Sequence, residues 1–84
     1  MKAVTVYTTN VCGFCVAAKN LLKSKNIPFQ EIDVTSDPTL RQEIMKRSGQ
    51  RTVPQIFIGD ESIGGFIDLK ALSDKGELAG KLAD

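Results

Sequence analysis

Residues 3–8, AVTVYT, are almost all β-branched or aromatic, the pattern of a buried strand. A short polar loop, Thr8-Thr9-Asn10, separates them from GFCVAAKNLLKSK at 13–25. In that segment, apolar residues at Phe14, Val16, Ala17, Ala18, Leu21 and Leu22 predict an amphipathic helix with a wide inner face. Asn26 suits a helix stop, and Pro28 lies just beyond it. PFQEIDV at 28–34 sets Phe29, Ile32 and Val34 among polar residues and reads as a second strand. Ser36 or Asp37 caps the next helix, with Pro38 in its first turn. Leu40, Ile44 and Met45 form its apolar stripe, and Gly49 ends it.

Thr52-Val53-Pro54 leads into QIFIG, a third strand. Gly59-Asp60-Glu61 makes a tight turn, and SIGG completes an antiparallel hairpin. The remainder, FIDLKALSDKGELAGKLAD, is helical with a break near Gly76. Strand, helix and strand within the first third of the chain form a βαβ unit, so its two strands run parallel. The order β-α-β-α-β-β-α predicts an α/β fold in one domain, residues 1–84. A four-stranded mixed sheet is flanked by helices on both faces.

Composition narrows the function. Of the 84 residues, 42% are hydrophobic and 25% charged, values of a globular chain. A net charge of +1 gives no strong attraction to nucleic acid or to an anionic membrane. The few aromatics are not interleaved with basic clusters, so no platform for stacking bases is expected. No apolar run reaches membrane-spanning length. MKAVTVY enters the strand pattern directly, without an apolar leader, which makes the cytoplasm the expected compartment.

The chemistry is concentrated in Cys12 and Cys15, the only 2 cysteines. Cys12 falls where the first helix begins, near unpaired backbone N–H groups whose partial positive charge favours a thiolate. Cys15 sits one turn inward, close enough to close a disulfide and more shielded. This spacing suits an exposed nucleophile with a resolving partner. A structural zinc site needs four ligands, and the chain has 2 cysteines and no histidine. A disulfide closing so short a loop restrains little of the unfolded chain. Two unrelated buried cysteines are the remaining alternative, but a C-x-x-C inside a βαβ unit points to thiol redox chemistry.

Four segments, VYTTNVCGFCVAAKNLL, LRQEIMKRSG, TVPQIFI and IGGFIDL, together resemble the glutaredoxins over nearly the whole chain. The resemblance implies a thioredoxin-like fold and a thiol–disulfide oxidoreductase with glutathione as reductant and no permanently bound cofactor. The expected substrates are disulfide-bonded or glutathionylated proteins, and a monomer is expected. It also implies a cis Pro54 beside the cysteines, with the Thr52-Val53-Pro54 segment pairing with the glutathione cysteine through the Val53 backbone. Pro54 read alone would equally suit the start of a strand. Arg41 matches a family arginine that reaches the glycyl carboxylate, or is simply a solvated helix charge. Gly64-Gly65 allows close backbone approach, and the N–H groups of Phe66 and Ile67 would receive the γ-glutamyl carboxylate. Phe14 stands where the family often has Tyr, either lining the site or buried in the core.

The chain departs from the family pattern at three places. Thr9 replaces a common lysine, and Ile67 replaces a common polar residue, leaving Asp68 to meet the glutathione amine. The active pair encloses Gly13-Phe14 rather than Pro-Tyr, and Gly13 resembles the single-cysteine, cluster-binding glutaredoxins. Two alternatives to the glutathione-dependent enzyme follow. One is a dimer holding a [2Fe–2S] cluster through Cys12 of each copy and two glutathiones. The other is a redoxin reduced by thioredoxin reductase.

Overall fold

The computed structural model describes residues 1–84. In chain order the elements are β1 (Val4–Thr8), α1 (Gly13–Ser24), β2 (Gln30–Asp33), α2 (Pro38–Ser48), β3 (Gln55–Ile58), β4 (Glu61–Gly64), α3 (Phe66–Asp74) and α4 (Leu78–Leu82). The strands form one sheet in the order β2-β1-β3-β4. β1 pairs parallel with β2 and antiparallel with β3, and β3–β4 is the antiparallel hairpin. The expected βαβ unit, the mixed sheet and the helix break at Gly76 are all present.

Alternation along the two central strands divides the interior into two cores. Val4, Val6, Ile56 and Ile58 pack with Ala18 and Leu22 of α1, Leu69 of α3, and Leu78 and Leu82 of α4. On the opposite face Tyr7 and Phe57 pack with Val34 and with Ile44 of α2. The two rings meet edge to face at 5.6 Å, and the Arg47 guanidinium lies 4.5 Å over the Phe57 ring. Each fully buried aliphatic side chain here contributes roughly 1.5–3 kcal/mol. The sheet is thus held between α1, α3 and α4 on one side and α2 on the other.

The helix ends follow their local signals. Asp37 Oδ1 accepts the Leu40 N–H at 3.0 Å, with Pro38 opening α2. Gly49 closes α2 in the left-handed conformation, φ 71°. Asn26 follows α1 at φ 57°. Two expectations need correction. The second strand starts at Gln30, opposite Thr5, rather than at Pro28, which has no N–H to give to the ladder. The inner face of α1 is also narrower than predicted. Cys15, Ala18 and Leu22 are buried, whereas Phe14 and Val16 are 60% and 51% exposed. These two lie about 100° to either side of Cys15 around the helix axis.

One polar cluster ties α1 to the sheet. Lys19 Nζ and the wholly buried Thr8 hydroxyl both donate to Glu31 Oε2, at 3.0 and 2.8 Å. These bonds, that from Lys19 first, hold the Glu31 carboxyl below its ordinary value of 4.5. A carboxyl depressed in this way stabilises the fold above its unfolded pKa, and that contribution is lost as pH falls through the folded value. The ion pair is partly exposed, so its contribution is about 0.5 kcal/mol. Glu31→Gln should therefore lower the melting temperature by about 2–4 °C at pH 7 and by less at pH 3. Equal shifts at both pH values in calorimetry would contradict this reading.

Candidate active site

Cys12 is the N-cap of α1, with extended backbone angles of φ −156° and ψ 103°. Its Sγ accepts the Cys15 N–H at 3.1 Å, replacing the side-chain oxygen that usually caps a helix. No acidic residue occupies the first turn of α1, so nothing there offsets the positive end of the helix. Cys15 is 1% exposed, while Cys12 is half-buried. The two sulfurs are joined as a disulfide, with Cα atoms 5.2 Å apart. One sulfur is therefore reachable from solvent and its partner lies beneath it, as the spacing predicted.

The loop entering β3 lies against this pair. The Val53 carbonyl oxygen is 3.6 Å from Cys12 Sγ. The Val53–Pro54 peptide is cis, and neither the N–H nor the C=O of Val53 has a backbone partner. From Val53 a groove of about 280 Å³ runs to the start of α3. Thr52, Val53 and Pro54 line it together with Phe14, Gly65, Phe66, Ile67 and Asp68. Phe14 stacks on Phe66 with ring centroids 6.0 Å apart and makes a wall of the groove, which settles its position outside the core.

At the far end, Asp68 Oδ2 accepts the Gly65 N–H at 3.0 Å and caps α3. Gly64, which precedes this cap, has φ 109°. A bulge precedes it in turn: Ile56 faces Gly64 and Phe57 faces Ser62, so Ile63 is an extra residue in β4. Ile67 is 72% exposed; Val11 (89%) and Val16 (51%) are exposed apolar side chains too.

Arg41 is half-buried near the start of α2 and does not line the groove. Gln50, which the sequence reading did not single out, does line it. Its only sequence signal is its place between the helix-ending Gly49 and the Thr52-Val53-Pro54 segment.

A C-x-x-C disulfide at a helix N-cap, facing a cis-proline loop on a mixed four-stranded sheet, defines a thiol–disulfide oxidoreductase of thioredoxin-like fold. The glutaredoxin family profile matches residues 4–63. Glutaredoxin 3 of Escherichia coli is 47% identical over 78 residues, 93% of this chain and 94% of that one. The chain belongs to the glutaredoxin family. The solution structure of glutaredoxin from Brucella melitensis has a TM-score of 0.88 at 48% identity, covering 98% of this chain and 89% of that one. The crystal structure of a buckwheat glutaredoxin–glutathione complex has a TM-score of 0.89 at 27% identity, covering 96% and 76%.

Proposed function

We propose that this single domain uses glutathione to reduce glutathionylated proteins and protein disulfides, as a monomer in the reducing cytoplasm. The observation that carries the reading is the groove itself. It starts at Val53, whose carbonyl lies 3.6 Å from Cys12 Sγ, and ends at the N-terminus of α3. A glutathionyl group bonded to Cys12 would lie along it. The unpaired Val53 N–H and C=O would pair with the glutathione cysteine as a short antiparallel strand. Its γ-glutamyl carboxylate would meet the N–H groups of Phe66 and Ile67, and its ammonium the Asp68 carboxylate. Arg41 is assigned to the glycyl carboxylate by family resemblance. The glutathione complex of the buckwheat relative supports this ligand.

In the first step the Cys12 thiolate attacks the glutathionyl sulfur of a protein–glutathione mixed disulfide. The protein thiolate leaves and takes up a proton. A second glutathione thiolate then attacks the glutathionyl sulfur on Cys12, releasing oxidised glutathione and restoring the Cys12 thiolate. With a protein disulfide, Cys12 attacks one sulfur and the Cys15 thiolate then attacks Cys12 Sγ. This frees the second protein thiol and forms the Cys12–Cys15 disulfide, which two glutathiones reduce.

A [2Fe–2S] cluster needs four sulfur ligands. One chain offers a single accessible cysteine sulfur, Cys12, because Cys15 is buried in the fold, so a cluster would need Cys12 of two copies and two glutathiones. The test of the electron source is a direct comparison. Turnover of a glutathionylated peptide should require glutathione with glutathione reductase, and thioredoxin reductase should support less than about a tenth of that rate. Equal or faster turnover with thioredoxin reductase would overturn the glutathione assignment.

A further inference from the structure

Gln55 opens the central strand β3 and is 1% exposed, on the same face of the strand as Phe57. An apolar residue would suit that position. The amide nitrogen instead points back along the chain into the loop. Nε2 lies 2.9 Å from the Thr52 carbonyl oxygen, 3.0 Å from Gln50 Oε1 and 3.4 Å from Thr52 Oγ1. The Thr52 carbonyl can only accept, which fixes the nitrogen on that side. The consequence is that Gln55 Oε1 is buried without a hydrogen-bond partner. An orphaned buried acceptor destabilises the fold. Such a cost is expected where a buried polar group serves the site rather than the core.

The two residues that Gln55 holds both line the thiol groove, and Thr52 immediately precedes Val53. Thr52 and Val53 belong to no helix or strand, and Val53 has no backbone hydrogen bond to fix it. The buried amide therefore supplies what the sheet ladder does not.

We propose that Gln55 is a positioning residue, which sets the Thr52-Val53 edge at the height where it pairs with the incoming glutathionyl cysteine. The inference rests on the glutathione reading above. Gln55 touches neither sulfur nor substrate in this account. Its contribution is that the docking edge is ordered before the substrate arrives.

Two variants test it. Gln55→Met keeps the volume and removes the donors. The KM for a glutathionylated peptide should rise about tenfold. Alkylation of Cys12 by iodoacetamide, which does not use the loop, should stay within about twofold of wild type. The backbone order parameters of the Thr52 and Val53 amides should fall from about 0.85 to below 0.6 while those of β1 and α1 hold. Gln55→Glu, the second variant, can donate only while its carboxyl is protonated, and none of the three acceptors is charged. Its KM should be close to wild type in mild acid and should climb toward that of Gln55→Met as pH rises. A purely structural role would lower the melting temperature of both variants without changing either KM. Wild-type KM values with rigid Thr52 and Val53 amides would overturn the proposal. If the wild type itself fails to turn over glutathionylated peptide, the glutathione reading falls. The positioning claim is then decided by the order parameters alone, supported by their loss in Gln55→Met and refuted by their persistence.

Discussion

Replacing Cys12 with serine should abolish turnover, by on the order of a thousandfold or more, for both glutathionylated and disulfide-bonded proteins. Both reaction sequences begin with the same sulfur, which caps α1 and is the more exposed of the pair. Cys15→Ser should separate the two reactions. Cys15 is 1% exposed, beneath Cys12, and its thiol enters only when the intermediate on Cys12 must be resolved within the chain. Removal of glutathione from a mixed disulfide should persist within a fewfold of wild type, while reduction of a protein disulfide should collapse. Parallel assays on one glutathionylated peptide and one disulfide protein read this directly. Equal loss of both activities in Cys15→Ser would contradict the division of labour.

Gly64→Ala should be the most damaging single methyl group near the groove. Gly64 has φ 109°, where a side chain is strained, and an added Cβ would lie 2.8 Å from Asp68 Cγ, closer still to Oδ2. Asp68 would have to move, giving up the 3.0 Å bond with which it caps α3 at Gly65. Backbone strain of about 1–3 kcal/mol and loss of a cap worth about 1 kcal/mol combine to a destabilisation of roughly 2–4 kcal/mol. For a domain this small that lowers the melting temperature by about 10–25 °C. Turnover of glutathionylated peptide should also fall, since Phe66, Ile67 and Asp68 at the end of the groove all depend on this cap. Gly80→Ala is the matched control: it lies in α4, nothing lies within 4 Å of its added carbon, and its melting temperature should hold or rise. A Gly64→Ala protein as stable as wild type would refute the argument.

The order of elements and the place of the thiols were legible because they depend on local signals. A strand ending at Thr8 followed by a helix starting at Gly13 leaves Cys12 only the cap position. Asp37-Pro38 and Gly49 bound α2 by the chemistry of helix ends, and alternation in β1 and β3 assigns each side chain to one of two cores. What could not be read depends on tertiary placement. Phe14 and Val16 have the hydrophobicity of core residues but project to either side of the buried line of α1. Gln50 and Gln55 are ordinary polar letters until the chain turn at Thr52 brings their amides together at 3.0 Å. Resemblance brings Arg41 forward as a ligand for the glycyl carboxylate; the residues that line the groove do not include it, and no local signal bears on that role. Asp68 was expected at the site; that it also caps α3 through Gly65 could be seen only once β4 and α3 were placed.

The claim on which the chemistry depends is that the opening turn of α1 holds the Cys12 sulfur as a thiolate near neutral pH. The most direct measurement is the rate of Cys12 alkylation in the reduced protein as a function of pH, with the modified residue identified by mass. The account predicts a midpoint below the value of about 8.5 for an ordinary cysteine, with Cys12 modified and Cys15 protected. A midpoint at or above the ordinary value, or faster modification of Cys15, would contradict it.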